Sequence, residues 1–193
     1  MGRSFKLVFP IAQASPPSLS FFNLVEAHVL NSMRDYLSLP RIRDALKWVE
    51  HGLGVTRPLI NKRFQTDGLD LFVEHTDKLL NASRRGQIAM RPVIEEYLKR
   101  IEFDSDGLAM RLFPFSRHHR APEPGAPEDP KAVVFDPRIS FGRLTVVGTG
   151  IATATIYDRF LAGETIEDIV RDFKMEHRFV EEAIRCESLQ KAA

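Results

Sequence analysis

The chain has 193 residues, enough for one ordinary domain or two small ones, and its 44% hydrophobic and 27% charged residues are typical of a globular protein, not a disordered or fibrous one. No run approaches the roughly 20 apolar residues of a membrane helix. The start, Met1-Gly2-Arg3-Ser4-Phe5-Lys6, lacks the apolar stretch of a signal peptide, and a single cysteine, Cys186, excludes an internal disulfide, so a reducing cytoplasm is the expected compartment.

The net charge of +1 hides an asymmetry. Residues 1–120 carry 18 Lys and Arg against 13 Asp and Glu, whereas residues 121–193 carry 9 against 13. A basic half is a weak footprint of nucleic-acid contact, and chance explains it as well.

In chain order, Phe5-Lys6-Leu7-Val8-Phe9 is a short apolar run that could form a strand, and Pro16-Pro17 breaks the chain. From Ser18 to Arg34 the apolar residues Leu24, Ala27, Val29, Leu30 and Met33 recur with His28 at helical spacing. A second helix is predicted from Leu39-Pro40, with Ile42, Ala45, Leu46 and Val49 on one face and Gly52 and Gly54 placed to end it. Residues 59–80 look different: Leu59-Ile60, Phe64 and Leu69-Asp70-Leu71-Phe72-Val73 are short apolar or alternating runs. Asp67-Gly68 is a hairpin signal between them, and His75-Thr76-Asp77-Lys78 is a further turn. A helix from about Gly86 to Lys99 and two strands around Asp104-Ser105-Asp106-Gly107 complete a mixed α+β part, residues 1–115, of helices plus a small sheet.

Residues 116–131, SRHHRAPEPGAPEDPK, hold four prolines and no aliphatic side chain larger than alanine, and are predicted to form an exposed Pro-rich linker. The remainder, 132–193, opens with a strand at Val133-Val134-Phe135 that enters a turn at Asp136-Pro137-Arg138. Three short helices are predicted after Val146-Val147-Gly148-Thr149-Gly150: Thr153 to Ala162, one capped by Thr165 with Asp168, and about Glu176 to Ser188. Ile166, Ile169, Val170 and Phe173, then Phe179, Val180, Ala183 and Ile184, are their inward faces. This is a mostly α, helix-turn-helix-like frame.

The segment carrying Asp136-Pro137, Gly142-Arg143, Val146, Gly148-Thr149, Ile151, Ala162-Gly163 and Thr165-Ile166-Glu167-Asp168-Ile169 resembles, over about 50 residues, the small antitoxin domain that accompanies PIN-domain ribonuclease toxins. That family usually has arginine where this chain has Gly150. The strings LSFFNLVEAHVL, RIRDAL and TDGLDLFVE, in that order, resemble a subgroup of VapB-type antitoxins with two DNA-binding-like domains. The resemblance implies a winged-helix, MerR-like N-terminal part that lacks its first helices here, since 17 residues precede Ser18. It also implies a PIN-domain toxin as partner, repression of the chain's own operon through DNA binding, and a homodimer.

Reading a major groove requires cations or amides at the start of a recognition helix. In the third C-terminal helix these are Lys174, His177, Arg178 and Arg185, set against Glu176, Glu181, Glu182 and Glu187. This acidic balance leaves DNA contact and a dimer or partner surface as alternatives. Among the basic residues of the first part, Arg41, Arg43 and Lys47 lie on one helix. Lys62 and Arg63 stand beside the predicted hairpin as in a wing, and Arg84 and Arg85 precede a helix N-terminus suited to phosphate. The DNA-contact set is therefore Arg41, Arg43, Lys47, Lys62, Arg63, Arg84, Arg85, Lys174 and Arg178. To block a carboxylate-rich toxin site, Phe115, Arg117, Arg120 and Arg185 are equal candidates. His118-His119 lack any further metal-ligand pattern, and no nucleophile elbow or phosphate loop occurs, so neither metal, cofactor nor catalysis is expected.

Overall fold

A computed structural model describes residues 13–14, 17–80, 84–117 and 129–191. It divides into two compact units, Met1–Ala109 and Met110–Ala193. The architecture is mixed α+β, with seven α-helices among the described residues and a helical C-terminal region. No described helix is long and apolar enough to cross a membrane. The strand expected at Phe5–Phe9 lies outside the described residues.

In the first unit a small antiparallel pair, β1 (Gln13–Ala14) and β2 (Pro17–Ser18), precedes α1 (Phe21–Met33). Ser20 caps this helix: its Oγ accepts from Asn23 N at 3.2 Å, and Asn23 Oδ1 accepts from Ser20 N at 3.1 Å, which satisfies two otherwise orphaned donors. Helix α2 (Leu39–Leu53) carries Pro40 in its first turn and ends at Gly54, whose φ of +64° is the left-handed C-cap conformation that glycine adopts freely. Ile42, Ala45, Leu46 and Val49 are buried as their spacing predicts.

Residues 59–80 overturn the strand expectation. Pro58–Ile60 is a 3₁₀ turn, Phe64–Gly68 a π-helical turn, and Leu69–Leu80 the helix α3. The alternation at 69–73 was too short a window: the buried set is Leu69, Phe72 and Thr76, which follows the helical repeat. Gly68 is there for close approach. A Cβ at that position would come within 3.0 Å of Leu53 and 3.2 Å of Val49. Two short helical turns and the helix α3 thus replace the hairpin and its wing, and His75–Lys78 continue α3.

Helix α4 (Arg84–Leu98) packs on α1, and β3 (Ile101–Phe103) runs into a turn in which Asp104 Oδ1 accepts from Asp106 N and Leu108 N. Inside this unit Glu26, 2% exposed, is held bidentately by Arg57, at 2.8 Å from Nε and 2.7 Å from Nη2. Arg57 adopts a φ of +56°, and its N–H donates to Glu50.

The second unit orders β4 (Ala109–Leu112), β5 (Val133–Phe135) and β6 (Leu144–Val146) as antiparallel neighbours, with Val133 opposite Val146 and Leu112 opposite Phe135. Helices α5 (Thr153–Leu161), α6 (Ile166–Phe173) and α7 (His177–Lys191) close over a core of Val146, Ile156, Ile169, Met175, Val180 and Ala183. The Thr165 cap and the inward faces predicted for α6 and α7 are present.

His28 supplies a pH test of the first unit. Its ring lies 3.0 Å from the Tyr97 carbonyl and stacks, tilted, on the Tyr97 ring. Desolvation, reinforced by Arg100 and opposed by the Tyr97 hydrogen bond, lowers its pKa from 6.5 to about 4. The unfolded chain therefore takes up the proton first. The stability His28 lends is full above pH 6.5 and is lost as pH falls toward 4, with a slope of at most about 1.4 kcal/mol per pH unit. Urea titrations across this window should show that slope flattened in His28→Gln.

Candidate functional site

The α5–α7 module is braced at its turns. Arg159 forms ion pairs with Glu164 and Asp172, and its guanidinium lies 5.1 Å from the centre of the Phe173 ring, which fixes the α5–α6 connection. Thr165 Oγ1 accepts from Asp168 N at 3.1 Å, and Lys174 ends α6 with a φ of +53°. At the start of α7, where a groove-reading helix would present cations, each charge is answered locally. Arg178 Nε is 2.9 Å from Glu176, its guanidinium covers Phe179, and His177 lies 3.5 Å from Glu181. Lys174 is exposed and forms no ion pair among the described residues.

A second constellation joins the ends of the Pro-rich segment to α7. Asp129 Oδ1 accepts from Ser116 N and Asp129 Oδ2 from Arg117 N, both at 3.0 Å. Ser116 Oγ sits 3.0 Å from Asp129 Oδ1 and 2.7 Å from Glu182 Oε2, so one hydroxyl proton serves two carboxylates. Arg117 donates to Glu182 Oε1 from Nε at 2.8 Å and Nη2 at 2.5 Å. Burial alone would push the Glu182 carboxyl up. Arg117, Ser116 and Arg185 outweigh it and hold the group below the usual carboxylate range. Ser116 and Asp129 are fully or nearly buried, which corrects the expectation of an exposed linker at these two positions: each satisfies the other's polar groups. His118, His119 and Arg120 lie outside the described residues.

A third feature is a turn between β5 and β6. Asp136, wholly buried, receives Arg111 Nε at 2.9 Å and, from Arg138, Nε at 2.9 Å and Nη2 at 2.7 Å, which holds its carboxyl well below the usual range. From this anchor Ser140, Phe141 and Gly142 take φ values of +48°, +58° and +74° in succession. The left-handed region costs a non-glycine residue about 1–2 kcal/mol, and Phe141 bears that cost with its side chain entirely in solvent.

The predicted DNA contacts scatter. Arg41 and Lys47 are exposed on α2, Arg43 is half-buried, and Trp48 beside them is 52% exposed and stacked on His75 at 5.0 Å. Lys62 is exposed. Arg63 donates from Nη1 to the Leu53 carbonyl at 2.6 Å and so closes the end of α2. Arg84 and Arg85 open α4, and their side chains lie outside the described residues. Of the toxin-contact set, Arg117 and Arg185 converge on Glu182, at 2.5 and 3.9 Å, while Phe115 is half-buried. The sequence reading missed Glu182, Asp129, Asp136 and Phe141. Glu182 did carry a signal, because Phe179 and Cys186 flank it on its own helix face, a carboxylate inside an apolar stripe.

Residues 133–185 match the family described as "Protein of unknown function (DUF433)". The chain is 29% identical over 185 residues to a Mycobacterium tuberculosis (strain ATCC 25618 / H37Rv) protein described as "Putative antitoxin VapB45", covering 89% of this chain and 72% of that relative. Its fold is similar to the crystal structure of Rv2018 from Mycobacterium tuberculosis, with a TM-score of 0.68 and 22% identity over 91% of this chain and 83% of that one.

Removing a buried carboxylate that answers a cation leaves the partner uncompensated, at about 3–5 kcal/mol. Because Arg117 remains partly exposed, Glu182→Ala should cost less, roughly 2–3 kcal/mol by urea denaturation. Glu176→Ala, on the surface, should stay within about 0.5 kcal/mol of the parent.

Proposed function

We propose that the chain is the antitoxin of a type II toxin–antitoxin system. It binds and neutralises a PIN-domain ribonuclease, performs no catalysis of its own, acts in the cytoplasm, and represses its operon as a DNA-binding homodimer. The observation that carries this is the similarity to VapB45, which runs through 89% of the chain and so includes both units. In this reading residues 1–115 are a MerR-like α+β part, 116–131 a Pro-rich connection, and 132–193 the antitoxin domain of helix-turn-helix type.

Toxin contact falls to Arg117 and Arg185, with Phe115 and Arg120 beside them in the chain. Both arginines already face one carboxylate, Glu182. A toxin site that gathers several carboxylates offers the same chemistry in greater number and competes for the half-exposed guanidinium of Arg117. DNA contact falls first to Arg41, Lys47, Lys62 and Lys174, which are exposed. Arg43, Arg63, Arg84, Arg85 and Arg178 are the remaining members. A second reading, an interaction or dimerisation module without DNA binding, draws on Arg178 and Arg63: one is paired to Glu176, the other spent on the Leu53 carbonyl.

Co-expression with a cognate PIN-domain ribonuclease should relieve growth arrest, and persistent arrest would remove the antitoxin reading. On operator DNA, Arg41→Ala/Lys47→Ala should weaken a mobility shift by more than about tenfold and lower the slope of log K against log salt by about two. Absence of any shift at low salt leaves the second reading.

A further inference from the structure

The turn that displays Phe141 is rigid. Arg138 N donates to Asp136 Oδ1 at 3.0 Å and Ile139 N to the Asp136 carbonyl at 3.0 Å. Gly142 N donates to Ile139 O at 2.9 Å and Arg143 N to Ser140 O at 3.2 Å. Ser140 Oγ fastens the turn to the Gly150 carbonyl at 2.7 Å. The Phe141 ring is 100% exposed on this stem. An apolar ring held out by a strained, hydrogen-bonded turn is already ordered for contact, so docking it costs little entropy.

Two residues along the chain from the ring, Arg143 is exposed and supplies positive charge. Between Asp136 and Asp158 the chain has Arg138 and Arg143 and no carboxylate. The same unit also carries the complement. At the end of α5, Phe160 and Leu161 are 39% and 59% exposed, and Asp158 and Glu167 near them in the chain are exposed.

We propose that a second copy of this chain is the occupant, with Phe141 of one copy packing on Phe160 and Leu161 of the other and Arg143 facing the acidic rim. A two-fold arrangement makes the contact twice. Three exposed apolar side chains per copy make a small interface by the standards of specific complexes, which sets the expected affinity in the micromolar range. Nucleic acid fits the turn less well. Arg138 has Nε and Nη2 on Asp136, so Arg143 is the exposed guanidinium of this turn with no ion pair among the described residues, whereas polyanion binding sums several such contacts.

The surface deepens the homodimer of the proposed function and is tested apart from it. Sedimentation equilibrium of the full chain, without toxin or DNA, should show a monomer–dimer equilibrium that weakens with added salt. Phe141→Gly should raise the dissociation constant at least tenfold while leaving the melting temperature equal or higher, because glycine adopts this φ without strain. Leu161→Ser should weaken it in the same direction. A parent chain that stays monomeric throughout the micromolar range overturns the proposal, as do variants that dimerise like the parent. A monomeric parent that captures the PIN-domain ribonuclease through Phe141 also overturns it and assigns the ring to the toxin. Failure of growth rescue bears on the antitoxin reading alone.

Discussion

A carboxylate removed from water must be met by cations or donors, and in the second unit Glu182 meets that demand with groups from two places in the chain. Ser116 and Arg117 come from one end of the Pro-rich segment, and Arg185 comes from the next turn of α7. Asp129, from the other end, shares the Ser116 hydroxyl. The proline-rich stretch has no apolar side chain to hold its ends together, so polar pairing does what a core does elsewhere. The cost of burying two carboxylates is offset only while every lone pair has a donor. This makes the junction sensitive to any group that competes for Arg117.

The same device recurs. Glu26 is gripped by Arg57 in the first unit, and Asp136 by Arg111 and Arg138 at the foot of the Phe141 turn. In each case arginine reaches a carboxylate on another element or fixes an irregular backbone. Its planar fork gives direction as well as charge, which lysine does not. Among the described residues, two groups of cations stand apart. Arg57, Arg111, Arg138 and Arg159 are structural, whereas Arg41, Lys47, Lys62 and Lys174 face solvent.

Much of the helical framework was legible because its signals are local. Pro40 and Gly54 bracket α2, Thr165 opens α6, and the apolar spacing of α6 and α7 names the residues that fill the core. Residues 59–80 were misread because Asp67-Gly68 has the composition of a turn, while Gly68 is required by the approach of Leu53 and Val49, a tertiary cause absent from any short window. The polar clusters were invisible for a related reason. Ser116 and Glu182 are 66 positions apart, and nothing at either position announces the other. Charge counting along α7 placed Glu182 among surface acids, although it is 4% exposed.

These pairs remove several charges of α7 from the surface field. Glu182 is neutralised inside the fold, and Arg178 is neutralised on its surface by Glu176. What α7 offers a partner is therefore neither the cationic tip of a groove reader nor the full acidity of its sequence. The turn before β6 differs: it keeps Arg143 outward and places an aromatic ring beside it on a backbone that only a dense set of hydrogen bonds can hold. Strain retained at an exposed apolar side chain adds nothing to the stability of the isolated chain. Under the proposed self-association, burial of the ring accounts for both the strain and the exposure.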